Sequence, residues 1–126
     1  MKIQKLLILS IDFDGVIHSY TSRWQGVDVI PDMPVPGAFE ALQEYSKYFR
    51  VCIYSSRSST PAGIAAMKYW FKQHGYPCDS IGEPAGLEFP TEKPPAWVTI
   101  DDRCVRFKGT FPKIDYLKNF KPWNKK

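Results

Sequence analysis

Three short apolar runs in this chain end abruptly against polar, reactive side chains, and no other feature restricts the fold as much. Residues 5–11 (KLLILSI) stop at Asp12-Phe13-Asp14-Gly15, Arg50 to Tyr54 (RVCIY) stops at Ser55 and Ser56, and Trp97 to Ile100 (WVTI) stops at Asp101-Asp102. Apolar runs of this length, without polar alternation, read as strands covered on both faces, as in a parallel sheet. Ligand crevices in open α/β sheets lie outside the carboxyl ends of the strands. Where each run stops is therefore the informative point.

The segments between the runs carry helical signals. Pro36 and Gly37 precede AFEALQEYSKYF, in which Ala38, Leu42, Tyr45 and Phe49 recur near a 3.6-residue period. Pro36 suits a first helical turn, so a helix of about three turns is expected. After the second run, Thr60 is a good N-cap and Pro61 a good first helical residue. That helix runs to Gln73 or His74, shows Ile64, Met67, Trp70 and Phe71 as its apolar face, and has Gly75 as its stop. Residues 16–35, broken by Gly26 and Pro31, read as a loose hairpin or small flap after the first strand. Ser80 to Gly82 is expected as a short third strand, and residues 83–95, with four prolines, as a loop. Residues 104–108 are expected as an edge strand and Ile114 to Phe120 as a short helix. Strands alternating with helices imply an α/β fold with a mostly parallel central sheet and right-handed crossovers.

A chain of 126 residues is read as one domain, 1–126, long enough for a single core. The longest clean apolar stretch near the N-terminus, Leu6 to Leu9, is too short for a membrane span or a secretory segment, so a cytoplasmic protein with no membrane partner is expected. Cys52, Cys78 and Cys104 are widely spaced and lack the pairing that zinc requires, so they are expected to be reduced thiols, with Cys52 in the core. Net charge is +4 but unevenly placed: the segment 103–126 holds eight Lys or Arg and a single acid, Asp115. Such a segment attracts nucleic acid, phosphorylated substrates or an acidic partner, or is simply a solvated tail.

Chemistry collects at the strand ends. The pattern brings four carboxylates, Asp12, Asp14, Asp101 and Asp102, and the Ser55 hydroxyl to one edge. Four clustered carboxylates repel one another unless a cation compensates them. Magnesium suits this set, because it uses a few carboxylates together with water and phosphate oxygens. Lys93, eight residues before Asp101, could hold a phosphoryl oxygen and offset the negative charge.

With these residues in view, the chain resembles the haloacid dehalogenase-like (HAD) hydrolase superfamily. IDFDGV resembles the first motif, Asp-x-Asp-Gly; CIYSS resembles the second, an apolar strand ending in Ser or Thr; Lys93 fits the third and TIDD the fourth. The motifs follow the family's order and span residues 8–102. DFDGVIHSY and IDDRCVRFKG further resemble small, mostly uncharacterised phage and bacterial members.

The resemblance implies a Rossmann-like three-layer sandwich. It further implies that Asp12 attacks phosphorus to form an aspartyl-phosphate. Asp14 would protonate the leaving oxygen and then deprotonate the attacking water, which requires surroundings that favour the neutral acid before attack. The Asp14 backbone carbonyl, Asp12 and Asp102 would hold Mg2+, and Asp101 would reach it through water or orient Lys93. Ser55, preferred over Ser56 because it directly follows the strand, would bind a phosphoryl oxygen, and Lys93 would stabilise the same group.

The acid at Asp14 matches the family's phosphatases and mutases and departs from its dehalogenases. No insertion large enough for a cap domain is visible in residues 15–36 or between Ser56 and Lys93. Cap-less relatives often act on large or exposed phosphates. The expected activity is a Mg2+-dependent phosphomonoester hydrolase, with a nucleotide, a nucleic-acid 3′-phosphate or a small metabolite as substrate. The rival reading is a non-catalytic module that binds nucleic acid or protein. Ser56 and Arg57 are further candidates for contact with a substrate phosphate. His18, in the flap, reads more readily as a polar loop residue than as a substrate contact, and Tyr20 and Trp24 as flap packing.

Overall fold

A computed structural model describes residues 6–101 and 113–119. The described strands β1 (Ile8–Ile11), β2 (Arg50–Ile53), β3 (Leu87–Glu88) and β4 (Val98–Ile100) form one sheet in the order β3-β2-β1-β4. Every pairing is parallel, with Ile11 level with Ile53 on one side and with Ile100 on the other. Helices α1 (Ala38–Tyr45) and α2 (Pro61–Gln73) lie between the strands in sequence, and α3 (Ile114–Lys118) follows β4. The expected α/β fold with a mostly parallel sheet is thus present. The edge strand expected at 104–108 lies outside the described residues, as do Asp102 and Cys104.

The central position of β1 follows from its composition. Leu9, Ser10 and Ile11 are buried, as are Val51, Cys52 and Ile53 of β2, so both faces of this strand pair are covered. Strand β4, expected as a buried strand, is paired to β1 but exposed at all three residues, because it forms the edge of the described sheet. The core joins these strands to Phe13, Ile17, Leu42, Met67, Trp70, Phe71 and Tyr76. Each such large apolar side chain contributes about 1.5–3 kcal/mol by leaving water. Trp70 meets Phe13, Phe39 and Phe71 edge-on, with centroids 5.0, 5.8 and 5.2 Å away, the geometry aromatic quadrupoles favour.

Helix α2 begins as its sequence implies: the Thr60 hydroxyl accepts the Gly63 N–H at 3.1 Å and Pro61 occupies the first turn. It ends at Gln73, and Gly75 takes a left-handed φ of +86°. Helix α1 is shorter than the expected three turns. It closes at Tyr45, where the Ser46 hydroxyl donates to the Gln43 carbonyl and the chain continues to Phe49 in tight turns.

The third strand lies elsewhere than expected. Ser80 to Gly82 form a turn, because Asp79 Oδ1 accepts the N–H groups of Ile81 and Glu83, both at 3.0 Å. The strand is Leu87–Glu88, within the stretch read as a loop, and it pairs with Val51 and Cys52. Arg50 fastens it with two hydrogen bonds to the Glu88 carboxylate, at 2.7 and 3.0 Å. That contact holds the Glu88 carboxyl below its ordinary value.

Among the described residues no helix is long and apolar enough to cross a membrane. Cys52 and Cys78 are free thiols, and burial pushes the Cys52 thiol up.

Candidate active site

Asp12 directly follows β1 and is tied to the neighbouring strand: its N–H donates to the Ile100 carbonyl at 2.9 Å. On the other side the Tyr54 N–H donates to the Ile11 carbonyl at 3.1 Å. With Ile11 level with both Ile53 and Ile100, the chain leaves the sheet at Asp12, Tyr54 and Asp101 along one carboxyl edge. Neighbouring strands lie about 4.8 Å apart, so Asp12 and Asp101 stand on adjacent strand ends. Asp12 is partly exposed and Asp101 exposed. Asp102, the fourth expected acid, lies outside the described residues. Among the described residues no three His, Cys, Asp or Glu side chains gather closely enough to hold a metal ion.

After Asp12 the chain folds tightly around the Phe13 carbonyl, which accepts the N–H groups of Val16, Ile17 and His18 at 3.2, 2.9 and 3.0 Å. Gly15 makes this possible with a φ of +85°, and its N–H donates to the His18 carbonyl at 2.8 Å. Beyond the turn the flap is held as a loose hairpin: Ser19 N–H donates to the Met33 carbonyl at 2.9 Å and Val35 N–H to the Ile17 carbonyl at 2.8 Å.

Asp14, at the start of this turn, is the centre of a polar cluster. Arg57 Nε donates to its Oδ2 at 3.0 Å and its Oδ1 at 3.3 Å, and His18 Nδ1 lies 2.9 Å from Oδ1. Both partners present donors, so Asp14 is engaged as an acceptor in an ion pair.

His18, read as a polar loop residue, is fully buried. Its Nε2 accepts the Asp32 N–H at 3.1 Å, which leaves the ring proton on Nδ1, facing Asp14. Its ring stacks on Phe13 at 5.5 Å and meets Trp70 edge-on at 5.7 Å. Asp32 is fixed in turn. Burial raises its carboxyl, but the Ser22 hydroxyl at 2.5 Å and amide at 2.7 Å, with Thr21, outweigh that and hold it below the ordinary carboxylate value.

Arg57 is also fully buried. Its Nη1 donates to the carbonyls of Gly26 and Val27 at 2.8 and 2.9 Å, and the indole of Trp24 covers the guanidinium at 4.6 Å. Its Nη2 is buried with no partner among the described residues. Arg57, a candidate for contact with a substrate phosphate, is thus paired internally with Asp14 and the flap.

The two serines of the second motif differ. Ser55 is buried, and its hydroxyl accepts the Arg57 N–H at 3.0 Å and lies 3.7 Å from Met67 Sδ. Its own N–H donates to Ser58 Oγ at 3.1 Å, completing a capping box on the 3-10 turn Ser56–Ser59. Ser56 is exposed. Lys93 lies exposed on the loop between β3 and β4 and forms no ion pair with another described residue. The structure therefore groups Asp12 with Asp101, and Asp14 with Arg57 and His18, without joining Lys93 to either group.

Sequence reasoning missed His18 and Asp32 as parts of the cluster. A usable signal existed: His18 stands four residues beyond Asp14, directly after apolar Val16 and Ile17. A cleft of about 520 Å³ between flap residues Asp28–Pro31 and α2 residues such as Tyr69 and Gln73 contains none of the expected site residues.

No protein-family model matches the chain, and no curated protein or solved structure matches it significantly.

Proposed function

We propose that the protein is a magnesium-dependent phosphomonoester hydrolase of the haloacid dehalogenase-like type, cap-less and built as a Rossmann-like three-layer sandwich. The reading is carried by one observation: Asp12 directly follows β1 beside Asp101, which directly follows the adjacent β4, with Asp14 two residues further on, held by Arg57 and His18.

In this reading an Asp12 carboxylate oxygen attacks phosphorus as the bond to the leaving oxygen breaks, and Asp14 supplies the leaving oxygen with a proton. Water then attacks the aspartyl-phosphate, giving a proton back to Asp14 and releasing Asp12 and inorganic phosphate. Ser55 or Ser56, with Lys93, would hold phosphoryl oxygens.

Two carboxylates on adjacent strand ends fit a small oxygen-seeking cation. Asp12, the Asp14 carbonyl and Asp102 would hold Mg2+, with Asp101 acting through water or on Lys93, and the ion would neutralise charge on the transferring group. Nucleotides, nucleic-acid 3′-phosphates and small phosphorylated metabolites are the substrate classes this site would serve.

The test is turnover of an aryl phosphate with Mg2+. Asp12→Asn is expected to abolish turnover while keeping the circular dichroism spectrum, and a chelator is expected to stop the wild type until Mg2+ is restored. Full activity in Asp12→Asn, with deamidation excluded by mass spectrometry, would refute the nucleophile.

A second reading, a hydrolase-like fold that acts by binding, is favoured by the ion pair that occupies Asp14. Salt-sensitive nucleic-acid binding without any turnover would select it.

A further inference from the structure

We infer that Arg57 is a positioning residue: it fixes the orientation of the Asp14 carboxyl and fastens the flap to the acid it stands over. This rests on the hydrolase reading and adds to it a residue that acts through Asp14 and not on substrate.

A guanidinium presents planar, forked donors, and here the fork is divided between two tasks. Nε meets both oxygens of Asp14, at 3.0 and 3.3 Å, and Nη1 meets the consecutive carbonyls of Gly26 and Val27. One rigid plane thus links the turn after β1 to the middle of the flap.

The plane is held from several sides. Trp24 lies against it at 4.6 Å, and the Arg57 backbone is pinned by the Ser55 hydroxyl. Helix α2 packs tightly on the Arg57 backbone: a Cβ at Gly63 would overlap the Arg57 carbonyl and come within 3.0 Å of Val27 Cγ2. A buried charge this constrained is costly unless paired, and Asp14 supplies the pairing. Nη2 is left buried without a partner among the described residues.

His18 holds the second edge of the same carboxyl through Nδ1. Asp14 is therefore constrained at both oxygens, and the plane of its carboxyl is fixed. Lysine at position 57 keeps the charge but cannot serve Asp14 and two carbonyls in one plane.

The test compares 4-nitrophenyl phosphate, whose leaving group needs little help from an acid, with phenyl phosphate, whose leaving group needs much. If Arg57 aligns the proton donor, Arg57→Lys loses kcat on phenyl phosphate by about 100-fold, and at least about 10-fold less on 4-nitrophenyl phosphate, with KM nearly unchanged on both. Equal losses on the two substrates, or no loss, overturn the inference, because a purely structural role lowers both alike. Should Arg57→Lys fail to fold, Trp24→Ala removes a half-exposed cover from the guanidinium and leaves the core intact. Its expected loss is smaller but again greater on phenyl phosphate, and a Trp24→Ala protein with equal effects on both substrates overturns the inference. A wild type that turns over neither substrate removes the hydrolase reading itself, and the positioning role with it.

Discussion

Tyr76 has its hydroxyl buried with no hydrogen-bond partner among the described residues, and burial pushes its pKa up to about 12. The neutral phenol is the form the fold accepts. Since the folded value lies above the unfolded one near 10, this contribution to stability is fully present below about pH 10 and is lost as pH rises toward 12. Urea unfolding of the wild type is expected to show that loss, while Tyr76→Phe keeps the ring contacts with Phe39 and Phe71, is at least as stable at pH 7, and lacks this part of the alkaline decline. At the same scale, the sequence showed where reactive groups stop but not how they pair. Asp12 and Asp101 were legible because each ends an apolar run. The engagement of Asp14 was not, because Arg57 reaches it across 43 residues of chain. Ser55 was read as a phosphate ligand from its place after an apolar run, but its acceptance of the Arg57 N–H in a capping box was not legible.

Among the elements, α2 was the most legible, since Thr60, Pro61 and Gly75 mark its ends by backbone chemistry independent of tertiary packing. Gly63 was not legible as a special residue, because its φ is ordinary and its importance lies in what it approaches. A methyl group there meets backbone rather than a movable side chain. Gly63→Ala is therefore expected to lower unfolding stability by about 1–3 kcal/mol despite alanine's better helix propensity, measured by chemical denaturation. A neutral or stabilising result would mean that α2 can slide away from Arg57. Strand β3 shows the opposite limit. Two residues carry no periodicity, so Leu87–Glu88 was hidden in a proline-rich stretch, while Asp79 bent the more strand-like Ser80 to Gly82 into a turn.

For the molecule as a whole, the proposed cation makes a prediction that needs no substrate. A ligand that binds only the folded state stabilises it by about 2.7 kcal/mol at 100 times its dissociation constant. Mg2+ is expected to raise the melting temperature of the wild type and to have little effect on Asp12→Asn, read by thermal denaturation with and without the ion. Equal shifts in both proteins would place the ion elsewhere. The parallel α/β plan was legible at this scale from alternating runs and helices, whereas the exposure of β4 was not, because an edge and a central strand can share the same apolar letters.

The register that sets Ile11 level with Ile100 has a consequence for synthesis. The two acids beside that register step are separated by nearly ninety residues, so on a ribosome the first emerges long before the second exists. Parallel pairing across such a separation is slow to form, because loop-closure entropy must be met first. On the proposed mechanism a nascent chain gains activity only once β4 joins, and chains ending before residue 98 carry Asp12 without its neighbour on the described edge.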